Sequence, residues 1–153
     1  KYRWVDIGSS YLPGELTASF LFSQLQVAKE ITNKRLIIWN SYNEIFNHLE
    51  MKEQVKRPVI PNDCEHNAHM YYLLLNKRYD RVKVLEEMNK RKVNAVFHYQ
   101  PLHSSLAGEH YGKTPLPLAV TEDISSRLIR LPMWVGFDQH ERVLDALIQS
   151  LNS

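Results

Sequence analysis

Between Glu15 and about Ala28 the sequence reads as a helix with no polar face. Leu16, Ala18, Phe20, Leu21, Phe22, Leu25 and Val27 fall on almost every side of a 3.6-residue spiral. Pro13 sits where a first helical turn accepts proline. A helix that is apolar all round has to be buried all round. A chain of 153 residues rarely has the mass to do that for one of its own peripheral helices. The opening residues Lys1-Tyr2-Arg3-Trp4 contain no methionine and bring in aromatic side chains at once, which reads as mid-protein sequence. The expectation is one compact piece of a larger protein, with the cover for this helix supplied from elsewhere.

The rest of the chain alternates in period. Ile38, Trp39, Tyr42, Ile45, Phe46 and Leu49 make a one-sided stripe, predicting an amphipathic helix from about Asn33 to Leu49. Glu50 to Pro61 is polar, carries prolines, and reads as a connector. His69 to Leu75 is a short aromatic and aliphatic run, a strand. Asp80 can cap a helix whose inner face is Val84, Leu85 and Met88. Val93 to Tyr99 reads as a second strand. Gln100 to Pro117 is a long loop, of the kind that is usually functional inside a compact domain. Thr121 to Leu128 is a short helix and Ile129 to Met133 a short strand. Asp138 and Glu141 are spaced as a capping box. They open a helix that turns Val143, Leu144, Leu147, Ile148 and Leu151 inward. This order predicts an α/β two-layer domain with a small sheet of about three strands covered by helices. Asn-Lys-Arg recurs at 33–35, 76–78 and 89–91, but at unequal spacing, so it is composition bias and not a repeat.

Composition narrows the function classes. With 44% hydrophobic and 24% charged residues the chain has the makings of a real core. A formal net charge of +2 is too small to argue for nucleic acid. No run approaches the roughly 18 apolar residues of a membrane helix, and the opening residues lack the apolar region of a signal peptide. Cys64 is the one cysteine, so no disulfide framework is possible and a reducing cytoplasm is the natural compartment.

Three stretches carry chemistry worth weighing. Gly8-Ser9-Ser10 precedes a helix start, where hydroxyls and backbone N–H groups can hold a phosphate. A serine-rich turn that caps a helix is the commoner use of such residues. His98-Tyr99-Gln100-Pro101-Leu102-His103-Ser104-Ser105 follows a strand, the place where α/β domains often put site residues. A proline-turned loop with incidental polar groups is the plain alternative. Cys64, His66 and His69 have metal-ligand chemistry, but C-x-H-x-x-H is no standard zinc spacing and no fourth ligand is evident, so no metal is expected. His69 fits better as the start of a strand. Lys90-Arg91-Lys92 ends a helix beside Glu86 and Glu87, a solvated end complementing the helix dipole. No phosphate-binding P-loop, dinucleotide fingerprint or nucleophile elbow is present.

Several blocks, in order along essentially the whole chain, resemble one family. They are Trp4 to Pro13, Glu15 to Leu25, Ala95 to Ser105, Ala107 to Gly112 and Ser126 to Trp134. The chain resembles the C-terminal part of the DegT/DnrJ/EryC1/StrS sugar aminotransferases. The resemblance implies the small domain of the type I aspartate-aminotransferase fold, dependent on pyridoxal 5'-phosphate. Residues 1–30 would then be an interdomain loop and a buried helix continuing from a large domain, and residues 31–153 the C-terminal small domain. It further implies a cytoplasmic homodimer with active sites at the subunit interface. The nearest subfamily takes a dTDP-sugar, dTDP-4-keto-6-deoxyglucose, with glutamate as amino donor. Its pathways make lipopolysaccharide and enterobacterial common antigen.

The site residues follow position by position. The opening loop corresponds to the family's G-x-N-x-R segment, whose asparagine reaches the partner subunit's cofactor phosphate. Gly8 matches the glycine, Ser10 stands at the asparagine position and Leu12 at the arginine position. Ser10, with Ser9 beside it, is therefore the expected cofactor contact. The 98–105 loop corresponds to the family's Y-x-P-L-H segment near the sugar-nucleotide entrance, which makes Tyr99, His103 and His98 the expected substrate neighbours. None of the lysines stands in the family's Schiff-base motif, so no catalytic residue is expected in this chain and the chain alone is expected to be inactive. The alternative is a stand-alone interaction domain that keeps the fold without the catalysis. The reading frame upstream of Lys1 separates the two.

Overall fold

The stripe from Ile38 to Leu49 is the foundation of the core. In the computed structural model, which describes residues 11–153, that stripe lies on α2 (Ala28–Ile45) and α3 (Asn47–Met51). Tyr42 and Phe46 are wholly buried and Ile38, Trp39 and Leu49 nearly so. Helix α2 starts at Ala28, earlier than the periodicity placed it, because α1 (Glu15–Gln26) runs into it through a single break at Val27. Glu30 and Lys34 form an i,i+4 ion pair on that added turn. The charged first turn hides its helical character from a reading based on apolar spacing alone.

Four short antiparallel strands, one more than expected, form a sheet in the order β1-β2-β4-β3. They are β1 (Val55–Lys56), β2 (Tyr71–Leu75), β3 (Val96–Phe97) and β4 (Leu128–Leu131). Strand β1 lies inside the stretch read as a connector. Strands β2 and β3 are shorter than their apolar runs: β2 starts at Tyr71 and leaves His69 exposed, and β3 keeps two residues. Register pairs Tyr71 with Leu131 and Leu73 with Ile129, and their buried side chains face the helices. Tyr71 meets Trp39, Tyr42 and Phe46, with ring centroids 5.3, 5.1 and 6.0 Å away.

Helix α4 (Arg81–Lys90) buries Val84 and Met88 and packs against α7 (His140–Leu151), which also lies on α2. Asp80 caps α4 as its chemistry predicts, accepting from the N–H groups of Val82 and Lys83. The capping box expected at Asp138 and Glu141 does not form. The residue before α7 is Gln139, with no side-chain cap. Aromatic packing sets that entry instead. Phe137 is buried, and His140 stands edge-on to Tyr42 at 4.7 Å and to Phe137 at 5.1 Å. These contacts start the helix one residue beyond the local signal.

Helix α1 has no buried residue. Leu16 is 90% and Phe20 69% exposed. The burial expected of it is not provided by the described residues of this chain. No helix among them is long and apolar enough to cross a membrane.

Candidate functional site

Strand β3 delivers the chain to His98 and Tyr99, and the loop that follows is folded. A 3-10 turn (Leu102–Ser104) leads into α5 (Leu106–Tyr111). Ser105 joins them: its Oγ donates to the Leu102 carbonyl at 2.7 Å and accepts from the Gly108 N–H at 3.0 Å. Gly108 lies so close to this turn that a Cβ there would stand 1.6 Å from the Leu102 oxygen, so no larger residue fits without moving the backbone. The loop read from sequence as structureless therefore holds a short capped helix.

The expected substrate neighbours separate into two places. His98 and Tyr99 stay together, ring centroids 4.0 Å apart, with Tyr99 65% exposed. They line a groove of about 510 Å³ with Leu102, Val120 and Ile124. His103 is turned away from them. Its Nε2 lies 3.2 Å from Oε1 of Glu122 on α6 (Ala119–Arg127), and it borders a separate hollow of about 230 Å³ with Glu109 and Lys113. On the other side of Tyr99 a groove of about 620 Å³ runs between α4 and α6. Arg81 lies in it, 5.6 Å above the Phe97 ring, and donates to the Ser125 carbonyl. Ser9 and Ser10, the expected cofactor contacts, lie outside the described residues.

Electrostatics single out His98. Its pKa is pushed below the usual imidazole value by burial first, then by Arg130 and His69. Arg130 Nη1 approaches His98 Nδ1 at 3.4 Å. A guanidinium only donates, so Nδ1 accepts and the imidazole proton sits on Nε2. Neither Arg130 nor Glu122 was legible as a site residue in the sequence. Both are ordinary outward positions on a strand and a helix, and only the fold brings them to the histidines. Cys64 is exposed, and His66 packs edge-on against Trp39 at 4.6 Å. Among the described residues no three His, Cys, Asp or Glu side chains converge as metal ligands.

This architecture, helices over a small antiparallel sheet with a folded loop at a strand end, is part of the fold of the pyridoxal-phosphate-dependent aminotransferases. It superposes on Helicobacter pylori PseC, an aminotransferase involved in the biosynthesis of pseudoaminic acid, with a TM-score of 0.81 at 20% identity. That match covers 98% of this chain and 40% of PseC. A DegT/DnrJ/EryC1/StrS aminotransferase from Brucella abortus matches with a TM-score of 0.68 at 25% identity, over 88% of this chain and 34% of that one. An uncharacterized protein of Methanocaldococcus jannaschii is 31% identical over 105 residues, which is 67% of this chain and 26% of that protein. The chain belongs to the DegT/DnrJ/EryC1/StrS aminotransferase family, whose profile matches residues 1–148. It spans well under half the length of these relatives.

The family is pyridoxal-phosphate-dependent, and a solved relative from Bacillus subtilis holds pyridoxamine phosphate. A lysine that takes up this cofactor needs a dry or cation-neighboured setting to be nucleophilic near neutrality. The described lysines are all exposed, and Lys34, Lys77 and Lys90 are tied to Glu30, Asp123 and Glu87. The described residues therefore do not fit a covalently held cofactor.

Proposed function

We propose that this chain is the C-terminal part of a cytoplasmic, pyridoxal-phosphate-dependent sugar-nucleotide aminotransferase, of the dTDP-4-amino-4,6-dideoxygalactose transaminase type. Residues 1–30 are the interdomain loop and a helix buried by a large domain, and residues 31–153 are the small domain. The observation that carries this reading is the family match over residues 1–148 in a chain whose exposed lysines suit no Schiff base. The lysine and its cofactor belong to the large domain. This chain contributes contacts. Tyr99 presents a phenol at a groove mouth, His98 is a neutral imidazole beside it, and His103 is oriented by Glu122. Ser9 and Ser10 donate to the cofactor phosphate across a homodimer interface. The product feeds lipopolysaccharide or enterobacterial common antigen synthesis.

The test is an assay of the complete gene product. It should convert dTDP-4-keto-6-deoxyglucose to the amino sugar only with glutamate present. The 153-residue chain alone should show neither turnover nor the visible absorbance of bound pyridoxal phosphate. A cofactor found covalently on a lysine of this chain would sink the reading.

A further inference from the structure

We infer that Arg130, steered by His98, binds the diphosphate of a nucleotide sugar in the cleft between α1 and the sheet. The inference rests on the proposed sugar-nucleotide chemistry and adds a residue and a subsite to it. The cleft has a volume of about 780 Å³ and is walled by Gln24 and Leu25 of α1, Ile31 of α2, Val96, Arg130 and Trp134. Its size falls in the range of about 300–1,000 Å³ typical of small-molecule sites. No described residue lining it is acidic, while two arginines and a histidine line it.

Among the described residues, Arg130 has neither an acid partner nor a main-chain carbonyl to which its guanidinium donates. It lies between the buried Ile129 and Leu131 on β4, and the strand period puts its side chain on the opposite face, beside Tyr72 and Val96 in the register. Of the other partly buried arginines, Arg57, Arg91 and Arg127 are neutralised by Glu50, Glu87 and Asp123 at 2.6–2.7 Å, while Arg35 and Arg81 have no acid but donate to the main-chain carbonyls of Ala68, His69 and Ser125. Among the described residues, Arg130 has only the neutral His98 as a side-chain partner. A partly buried cation without a counter-charge is unfavourable until an anion arrives. The contact with His98 engages one guanidinium nitrogen and leaves a planar fork that matches two phosphate oxygens. Arg35 adds its charge to the same cleft, although two of its donors are spent on the carbonyls of Ala68 and His69. Two arginines, with no acid among the described lining residues, favour a multiply charged diphosphate over one carboxylate. Trp134, 54% exposed on the cleft wall, offers an aromatic face to the base that a nucleotide carries.

The test uses the full 153-residue chain, with inorganic pyrophosphate, thymidine diphosphate and glutamate as probes. Binding is read by NMR titration of the His98 ring and by tryptophan fluorescence. Pyrophosphate and thymidine diphosphate should both bind and raise the His98 pKa, since an anion beside Arg130 favours the imidazolium. Arg130→Gln should weaken both by about tenfold or more, and Arg130→Lys should restore part of the loss, with melting curves unchanged. Failure of the wild-type chain to bind pyrophosphate, equal binding by Arg130→Gln, or a response to glutamate alone would overturn the inference. If the complete gene product still transaminates, only the diphosphate site falls. If it does not, the reading beneath it falls as well.

Discussion

At the scale of single residues, two buried or paired side chains make sharp claims. Asp123 is held by Arg127 through two hydrogen bonds, of 3.2 and 2.6 Å, and by Lys77 at 3.0 Å. These contacts, Arg127 first, lower its pKa from 3.8 to about 2. A lowered carboxylate contributes stability that is present above its unfolded pKa of about 4 and lost as pH falls through the folded value. Asp123→Asn should therefore be less stable than wild type near neutrality, and the difference should shrink as pH falls below about 4 and vanish only below about pH 2, read by urea melts across pH. Tyr42 is fully buried and donates to the Pro132 carbonyl at 2.8 Å, and burial pushes its phenol pKa up. Tyr42→Phe keeps the ring and leaves that carbonyl unpaired, which should lower unfolding free energy by about 1–2 kcal/mol in the same melts. Tyr42 was legible as core because helical period alone puts it beside Trp39 and Phe46. Arg130 was not, because its meaning comes from His98, distant in sequence and brought close by the sheet.

At the scale of elements, local signals held where nothing tertiary competed. Asp80 is exposed at the start of α4, so its side chain answers only to its own backbone. Asp80→Ala should cost about 1 kcal/mol and loosen the amide protons of Val82 and Lys83, measurable by hydrogen exchange. Asp138 carried an equally good local signal and lost, because Phe137 and His140 are claimed by Tyr42. Strand β1 was the hardest to read. Two residues give too little alternation to register as a period, and it is a strand because β2 offers it a partner; β3 was read as a strand but keeps only the two residues that pair with β4. The loop after β3 looked structureless because its order comes from one serine hydroxyl and one glycine approach, neither of which leaves an apolar period.

At the scale of the molecule, the core and α1 obey different rules. Every side chain of the buried cluster lies between Ile38 and Leu151. Helix α1 presents Leu16, Phe20, Leu21, Phe22 and Leu25 outward. Uncovered apolar surface of this extent drives association. The isolated chain should sediment as concentration-dependent oligomers, and Phe20→Glu with Leu21→Glu should return it to monomer without lowering its melting temperature. A wild-type chain that stays monomeric at high concentration would count against this. The all-apolar character of α1 was fully legible in the sequence. The described residues close on one another without covering it, as the sequence led one to expect. The strand order carries a kinetic consequence as well. Strand β4 is the last strand in the chain, yet it is the one that joins β2 to β3. During synthesis β3 has no hydrogen-bonding neighbour and β2 has only β1 until residues 128–131 leave the ribosome. The sheet therefore closes late, through contacts remote in sequence, once that four-residue strand has been made.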